Sequence, residues 1–252
     1  MLWAIDVGNT HTVFGLWGGQ SWKQTFRIAT DPGRTTEDDL AASLRSLCKQ
    51  TGLDFAADRV VVASVVPAMD SLLGRLGRRW LQCEPEFLGP GPTVGVKVHY
   101  SPVESVGADR IANTLWARDQ GPGPYILVDF GTATTFDVLS VEGDYLGGAI
   151  MTGVEISMAA LFARAAKLPQ IPLSPPSKAI GTNTVSALQS GIVLGYAGSV
   201  EALVKHLSQE LPSKPRVIAT GGLGGTFMGV CPSLEAYEPM MTLEGLRLFA
   251  AL

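Results

Sequence analysis

Hydrophobic and polar residues alternate along three opening stretches, residues 2–7, 11–17 and 22–29, in the two-residue period of half-buried strands. The period then changes. In TTEDDLAASLRSLCKQTG, Leu40, Leu44 and Leu47 recur at helical spacing. Thr36, with Asp39 three positions on, has the form of a capping box with Asp in place of Glu, and Gly52 stands where a C-cap glycine is favoured. RVVVASVV, residues 59–66, is apolar without alternation and predicts a buried strand. A helix over 68–81 and a short strand at EFLG follow.

The second half runs in the same order. Strands are expected at 125–130, 133–141 and 144–151, then a helix over 154–167. A proline-rich connection, LPQIPLSPPSKAIG, leads to a long helix of small residues from about 183 to 210. Gly191, Gly195 and Gly198 lie inside it, each costing up to about 1 kcal/mol relative to Ala in an exposed helix. With Ala187 they form a stripe where another backbone can approach, either within the subunit or across a dimer. RVIAT is a last buried strand before GGLGG, and TLEGLRLFAAL closes the chain as a helix.

The halves also share a phrase. AIDVGNTHTVFGLW, residues 4–17, and ILVDFGTATTFDVL, residues 126–139, align with Asp129 on Asp6, Gly131 on Gly8, Thr132 on Asn9 and Thr135 on Thr12. An acid closing a strand is costly to bury unless something cationic or hydrogen-bonding answers it. The glycine after it lets the chain turn sharply and lets a ligand approach. One such turn fits an ordinary hairpin; two at matching places predict paired α/β domains, 1–117 and 118–252, with mixed sheets and a cleft whose turns offer amides and hydroxyls to a phosphate chain and carboxylates to its cations.

Composition narrows the setting. The 252 residues are 46% hydrophobic and 17% charged, enough apolar material for sizeable cores. The net charge of −4, without a basic run, argues against a nucleic-acid surface. Cys48, Cys83 and Cys231 are far apart and form no disulfide framework, which points to a reducing compartment. No signal-peptide pattern opens the chain and no segment reads as a run of about 18 apolar residues, so a cytoplasmic protein without membrane partners is expected. His11, His99 and His206 are scattered, which makes a zinc site improbable, and G-x-S-x-G is absent.

Six segments together resemble type III pantothenate kinases, within the superfamily of acetate and sugar kinases, heat-shock ATPases and actin: DVGNTHTVFG at 6–15, GADRIAN at 107–113, DFGTATTFD at 129–137, GGAIMTGVEIS at 147–157, NTVSALQSG at 183–191 and TGGLG at 220–224. The resemblance implies an α/β fold of duplicated ribonuclease H-like, actin-like ATPase domains, with mixed five-stranded sheets and a central ATP cleft. The implied reaction is ATP-dependent phosphorylation of pantothenate, the first step toward coenzyme A. Asp109 would be the general base, although its place at a helix start also suits a plain capping role. ATP would be held by Asp6, Val7, Gly8, Asn9, Thr10, His11, Thr12, Val13 and Thr132. Asp6 would reach Mg²⁺ through water, and Asp129 would contact a monovalent cation, K⁺ or ammonium.

Pantothenate would meet Tyr100, Gly107, Ala108, Asp109, Arg110 and Thr184 by the same resemblance. Read alone, Tyr100 is equally a core aromatic and Arg110 a surface ion-pair partner. The resemblance further implies a homodimer in which Thr184 of one subunit closes the pantothenate site of the other. His99 has no assignable role, and GGLGG contains no residue that reads adenine. Two rival readings are a superfamily kinase for another small alcohol or sugar, which would lack GADRIAN with Tyr100 and Thr184, and a non-catalytic regulatory relative, which would have lost one of the three acids.

Overall fold

The computed structural model describes residues 1–91 and 94–252, which form two compact units. Unit 1 combines Met1–Gln120 with Met241–Leu252; unit 2 is Gly121–Met240.

Unit 1 is built on a five-stranded mixed sheet in the order β3 (Trp22–Ala29), β2 (His11–Trp17), β1 (Leu2–Val7), β4 (Arg59–Ser64), β5 (Glu86–Phe87). The β1–β2 and β2–β3 pairs are antiparallel, whereas β4 and β5 run parallel to their neighbours. β4 carries an unbroken apolar run, and Val60, Val61, Val62 and Ala63 are all buried, as expected of a parallel strand covered on both faces. Helix α1 (Glu37–Gln50) starts at the predicted box: Thr36 Oγ1 accepts from Asp39 N–H at 3.2 Å, and Asp39 Oδ2 accepts from Thr36 N–H at 3.2 Å. Leu40, Leu44 and Cys48 on its inner face join Trp3, Phe14 and Leu16 in the core. Helix α2 (Pro67–Leu76) begins with proline at its first position, where the missing N–H costs nothing, and widens into a π turn over 77–81.

Helix α3 (Ala108–Asp119) and helix α8 (Met241–Phe249) pack together in unit 1. The sequence reading counted the closing helix with the second half; the structure places it here, beyond all of unit 2 in the chain. Gly245 lies so close to the Ala112 carbonyl that a Cβ has no room. The Thr242 hydroxyl donates to Asn113 Oδ1 at 2.9 Å, and Trp22 Nε1–H donates to Glu244 Oε1 at 2.6 Å. Arg247 stacks over Trp17, and the Arg59 guanidinium, paired with Glu86, also donates to the Ala250 carbonyl. The sequence predicts this closing helix but not the surface that it covers.

Unit 2 repeats the sheet: β8 (Tyr145–Thr152), β7 (Ala133–Leu139), β6 (Tyr125–Phe130), β9 (Arg216–Thr220), β10 (Ala236–Tyr237), with antiparallel and parallel pairs in the same places. β10, too short to show a period, was not expected. Helix α4 (Val154–Arg164) follows β8. A continuous helix then runs through α5 (Thr184–Gln189), a π turn over 190–194 and α6 (Gly195–Gln209); Asn183 caps it, its Oδ1 accepting from Ser186 N–H at 2.9 Å. Short α7 (Gly224–Phe227) precedes β10. The core gathers Val128, Phe130, Phe136, Val200, Val217 and Phe227.

Register corrects one detail of the repeat. Val7 pairs with Thr12 across the first turn, whereas Phe130 pairs with Thr134 across the second, so the second turn is one residue shorter. Thr134, not Thr135, is the structural counterpart of Thr12. Both are buried.

The helix spanning Thr184–Gln209 has 26 residues, with an 18-residue stretch of mean hydropathy 1.3, so by length and composition alone it meets the requirement for crossing a membrane, contrary to the sequence reading. One face of it, through Tyr196, Ala197, Val200 and Val204, belongs to the core of unit 2. Apart from their own helix, no described residue comes within 4 Å of where a Cβ would stand on Gly191, Gly195 or Gly198. Ala187, the fourth residue of the stripe, is instead approached closely by Gly181 of the same subunit.

Candidate active site

In unit 1, Asp6 is half-buried near the end of β1, and Gly8 N–H donates to His11 O at 3.0 Å to close the turn, leaving Asn9 and Thr10 exposed at its tip. Val7 and Thr12 lie beneath it. The hydroxyls of Thr12 and Thr30 are bonded at 2.8 Å, and Thr30 N–H donates to Thr10 O at 3.0 Å, so the next strand end braces the turn. Val65 N–H, just past β4, donates to Val7 O at 3.1 Å. This sets the start of α2 beside the same edge of the sheet.

Asp109 occupies the first turn of α3. Its Oδ1 accepts from the Arg110 N–H at 2.8 Å, and no side chain caps the helix from Gly107. Burial pushes the Asp109 carboxyl above the ordinary aspartate value, against the opposing pull of the Arg110 amide and guanidinium. Arg110 is itself buried, which sets aside its reading as a surface ion-pair partner. Tyr100 is 38% exposed, so it is no core aromatic; His99 beside it is exposed too.

In unit 2, Asp129 is half-buried at the position in β6 that Asp6 has in β1. Gly131 N–H donates to Ala133 O at 3.1 Å, and Gly153 N–H donates to Thr132 O at 3.2 Å. Gly153 leaves no room for a Cβ against that carbonyl. Gly221, at φ +82, lies against Asp129 Oδ1 and the Phe130 backbone, so the glycine after β9 packs directly on the acid. Tyr237 donates its hydroxyl to Gly221 O at 3.0 Å and covers Gly224 with its ring. Thr184, the first residue of α5, is exposed.

Two tyrosines that support unit 2's turn, Tyr196 and Tyr237, were not found from sequence. Each acts on a residue distant in the chain, and neither lies in a motif with its partner. Tyr196 Oη is 2.7 Å from Thr134 Oγ1 and donates to Thr152 O at 3.0 Å, and burial pushes its hydroxyl above the ordinary tyrosine value.

A family model described as type III pantothenate kinase matches residues 2–206. A type III pantothenate kinase of Anaeromyxobacter sp. (strain Fw109-5) is 45% identical over 249 residues, covering 98% of each chain. That of Moorella thermoacetica is 44% identical with the same coverage. Among solved structures, a putative Baf family transcriptional activator from Campylobacter jejuni superimposes with a TM-score of 0.63 at 18% identity, over 99% of this chain and 98% of that one. MreB 5 of Spiroplasma citri bound to AMPPNP superimposes at 0.55 with 10% identity, over 99% and 96%. At such identities these two establish the fold alone, an actin-like ATPase fold in duplicate. Near-complete coverage at more than 40% identity establishes more: the chain belongs to the type III pantothenate kinase family.

Proposed function

We propose that the chain transfers the γ-phosphoryl group of ATP to the hydroxyl of pantothenate, the first step of coenzyme A synthesis, with Asp109 as general base. Family membership makes it a phosphotransferase whose substrates are ATP and pantothenate. The observation that carries the role of Asp109 is its setting: a carboxylate held in the first turn of α3 and raised by burial is a stronger proton acceptor than an exposed one. As the pantothenate oxygen bonds to phosphorus and the bond to the ADP oxygen breaks, the hydroxyl proton passes to Asp109. Arg110, Tyr100, Gly107 and Ala108 line the approach of pantothenate, with Arg110 supplying planar donors suited to its carboxylate or amide.

Phosphate oxygens are bound by the turn of each unit, through Gly8–Thr12 in unit 1 and Thr132 in unit 2. Asp6 would hold Mg²⁺ through water, and Asp129 a K⁺ or ammonium ion. The donor sets suit hard cations: single carboxylates beside hydroxyl and amide groups, with no cluster of three or more His, Cys, Asp or Glu among the described residues. Such cations take their remaining ligands from water and phosphate, and when bound they neutralise triphosphate charge.

The protein acts as a homodimer in the cytoplasm. The open faces of Gly191, Gly195 and Gly198 favour a second copy against this helix, with Thr184 of one subunit completing the pantothenate site of the other. Unpaired Cys48, Cys83 and Cys231 fit a reducing compartment. An ADP-release assay comparing pantothenate, a panel of hexoses and no acceptor tests the reaction. Pantothenate-dependent release with formation of 4′-phosphopantothenate is expected, and equal release with every acceptor overturns it.

A further inference from the structure

The buried threonine that follows the turn is held by a second hydroxyl in both units, but the holders differ. In unit 1 it is Thr30, at the end of the neighbouring strand. In unit 2 it is Tyr196, 62 residues away from Thr134 on the long helix. Tyr196 Oη–H lies within donating distance of two acceptors, Thr134 Oγ1 at 2.7 Å and Thr152 O at 3.0 Å, and shares its single proton between them.

Those two partners flank the turn. Ala133 pairs with Thr152 across β7 and β8, and Thr134 is the next residue of β7. Thr132, at the tip, is tied by its carbonyl to Gly153 N–H, the residue after Thr152. One oxygen thus joins both strands immediately below Thr132. Tyr196 lies just after the π turn at 190–194, a helical irregularity often found at functional sites, and its ring packs against Phe227, 5.3 Å between centroids.

We propose that Tyr196 is a positioning residue for the nucleotide: its hydroxyl fixes Thr134 and Thr152 so that the Thr132 turn meets the phosphates in one preset geometry. The inference rests on the reading that this turn binds phosphate. A preset turn loses little freedom on binding, so loosening it weakens nucleotide affinity and leaves the other substrate and the chemical step alone.

Tyr196→Phe keeps the ring and removes the oxygen; Thr134→Val removes the other half of the bond. Each is expected to raise KM for ATP by about three- to tenfold, the scale of one lost buried hydrogen bond, with kcat and KM for pantothenate unchanged. The double variant is expected to be no worse than either single one, because both act through one bond. Thr132→Ala serves as the control for the turn. If it raises KM for ATP while Tyr196→Phe does not, or if the Tyr196 and Thr134 effects add in full, the positioning role is overturned and the phosphate turn stands. If Thr132→Ala has no effect on KM for ATP either, the reading of the turn fails as well. A folding defect alone would lower the active fraction and kcat without moving KM.

Discussion

Asp109 folds back over Gly107: a side chain at 107 would occupy the space taken by Asp109 Oδ1 and press on Val65. The glycine of GADRIAN is thus what permits the carboxylate its position in the first turn of α3. Gly107 has an ordinary negative φ, so this glycine serves close approach rather than an unusual backbone.

Gly107→Ala should displace the carboxylate while the helix stays intact, and Asp109→Asn should keep its place but remove its basicity. Turnover is expected to fall by roughly 10²–10⁴-fold in Asp109→Asn, with a smaller loss in Gly107→Ala and an unchanged circular dichroism spectrum in both. Near-normal kcat in Asp109→Asn would reduce this acid to a helix cap.

The same burial has a cost in stability that depends on pH. The folded protein binds the Asp109 proton more tightly than the unfolded chain, so this group's contribution to stability falls as pH rises from the unfolded pKa through the raised folded value. Above that value the penalty is complete. Asp109→Asn should therefore melt at a higher temperature than the wild type near neutral pH, with the difference shrinking as acid protonates the native carboxyl. Melting curves from mildly acidic to neutral pH check this, and a variant less stable than wild type at neutral pH contradicts it.

Activity should require Mg²⁺ and, separately, K⁺ or ammonium, with Na⁺ a poor replacement. Asp129→Asn should weaken the monovalent dependence before it disturbs the fold. Titrating KCl, NH₄Cl and NaCl at constant ionic strength separates a specific ion from simple screening. Equal rates in Na⁺ and K⁺ would remove the cation from Asp129.

Gly195 faces open space among the described residues, so Gly195→Leu should fold normally. In a dimer built on that face it should yield monomers, with weakened pantothenate binding and a largely retained nucleotide site. Sedimentation velocity at micromolar concentration, paired with KM for each substrate, reads both effects. A wild type that sediments as a fully active monomer refutes the assembly.

Features fixed by neighbours in the chain were the legible ones. The Thr36–Asp39 box, the Asn183 start and the strand alternation at 11–17 each depend on residues a few positions apart. Thr134 was hidden because an aligned phrase shows identity but not pairing, and one residue lost from a turn moves every later partner. Tyr196 looked like one more residue in a glycine-rich helix, since nothing local announces a bond to a strand so distant in the chain. The position of Asp109 was readable from GADRIAN; its burial, which sets its chemistry, was not.

The assignment of α8 to unit 1 has a consequence for synthesis on the ribosome. Unit 2 is one uninterrupted stretch of chain and can fold as it emerges, whereas unit 1 has to wait, its α3 surface around Ala112 and Asn113 uncovered, until all 120 residues from Gly121 to Met240 have been translated and α8 follows. A nascent chain that stalls within unit 2 therefore leaves the half carrying Asp6 and Asp109 unfinished, an open apolar surface for chaperones and proteases to find. The helix that carries Asp109 gains its α8 cover only when translation has passed the Thr132 turn of unit 2.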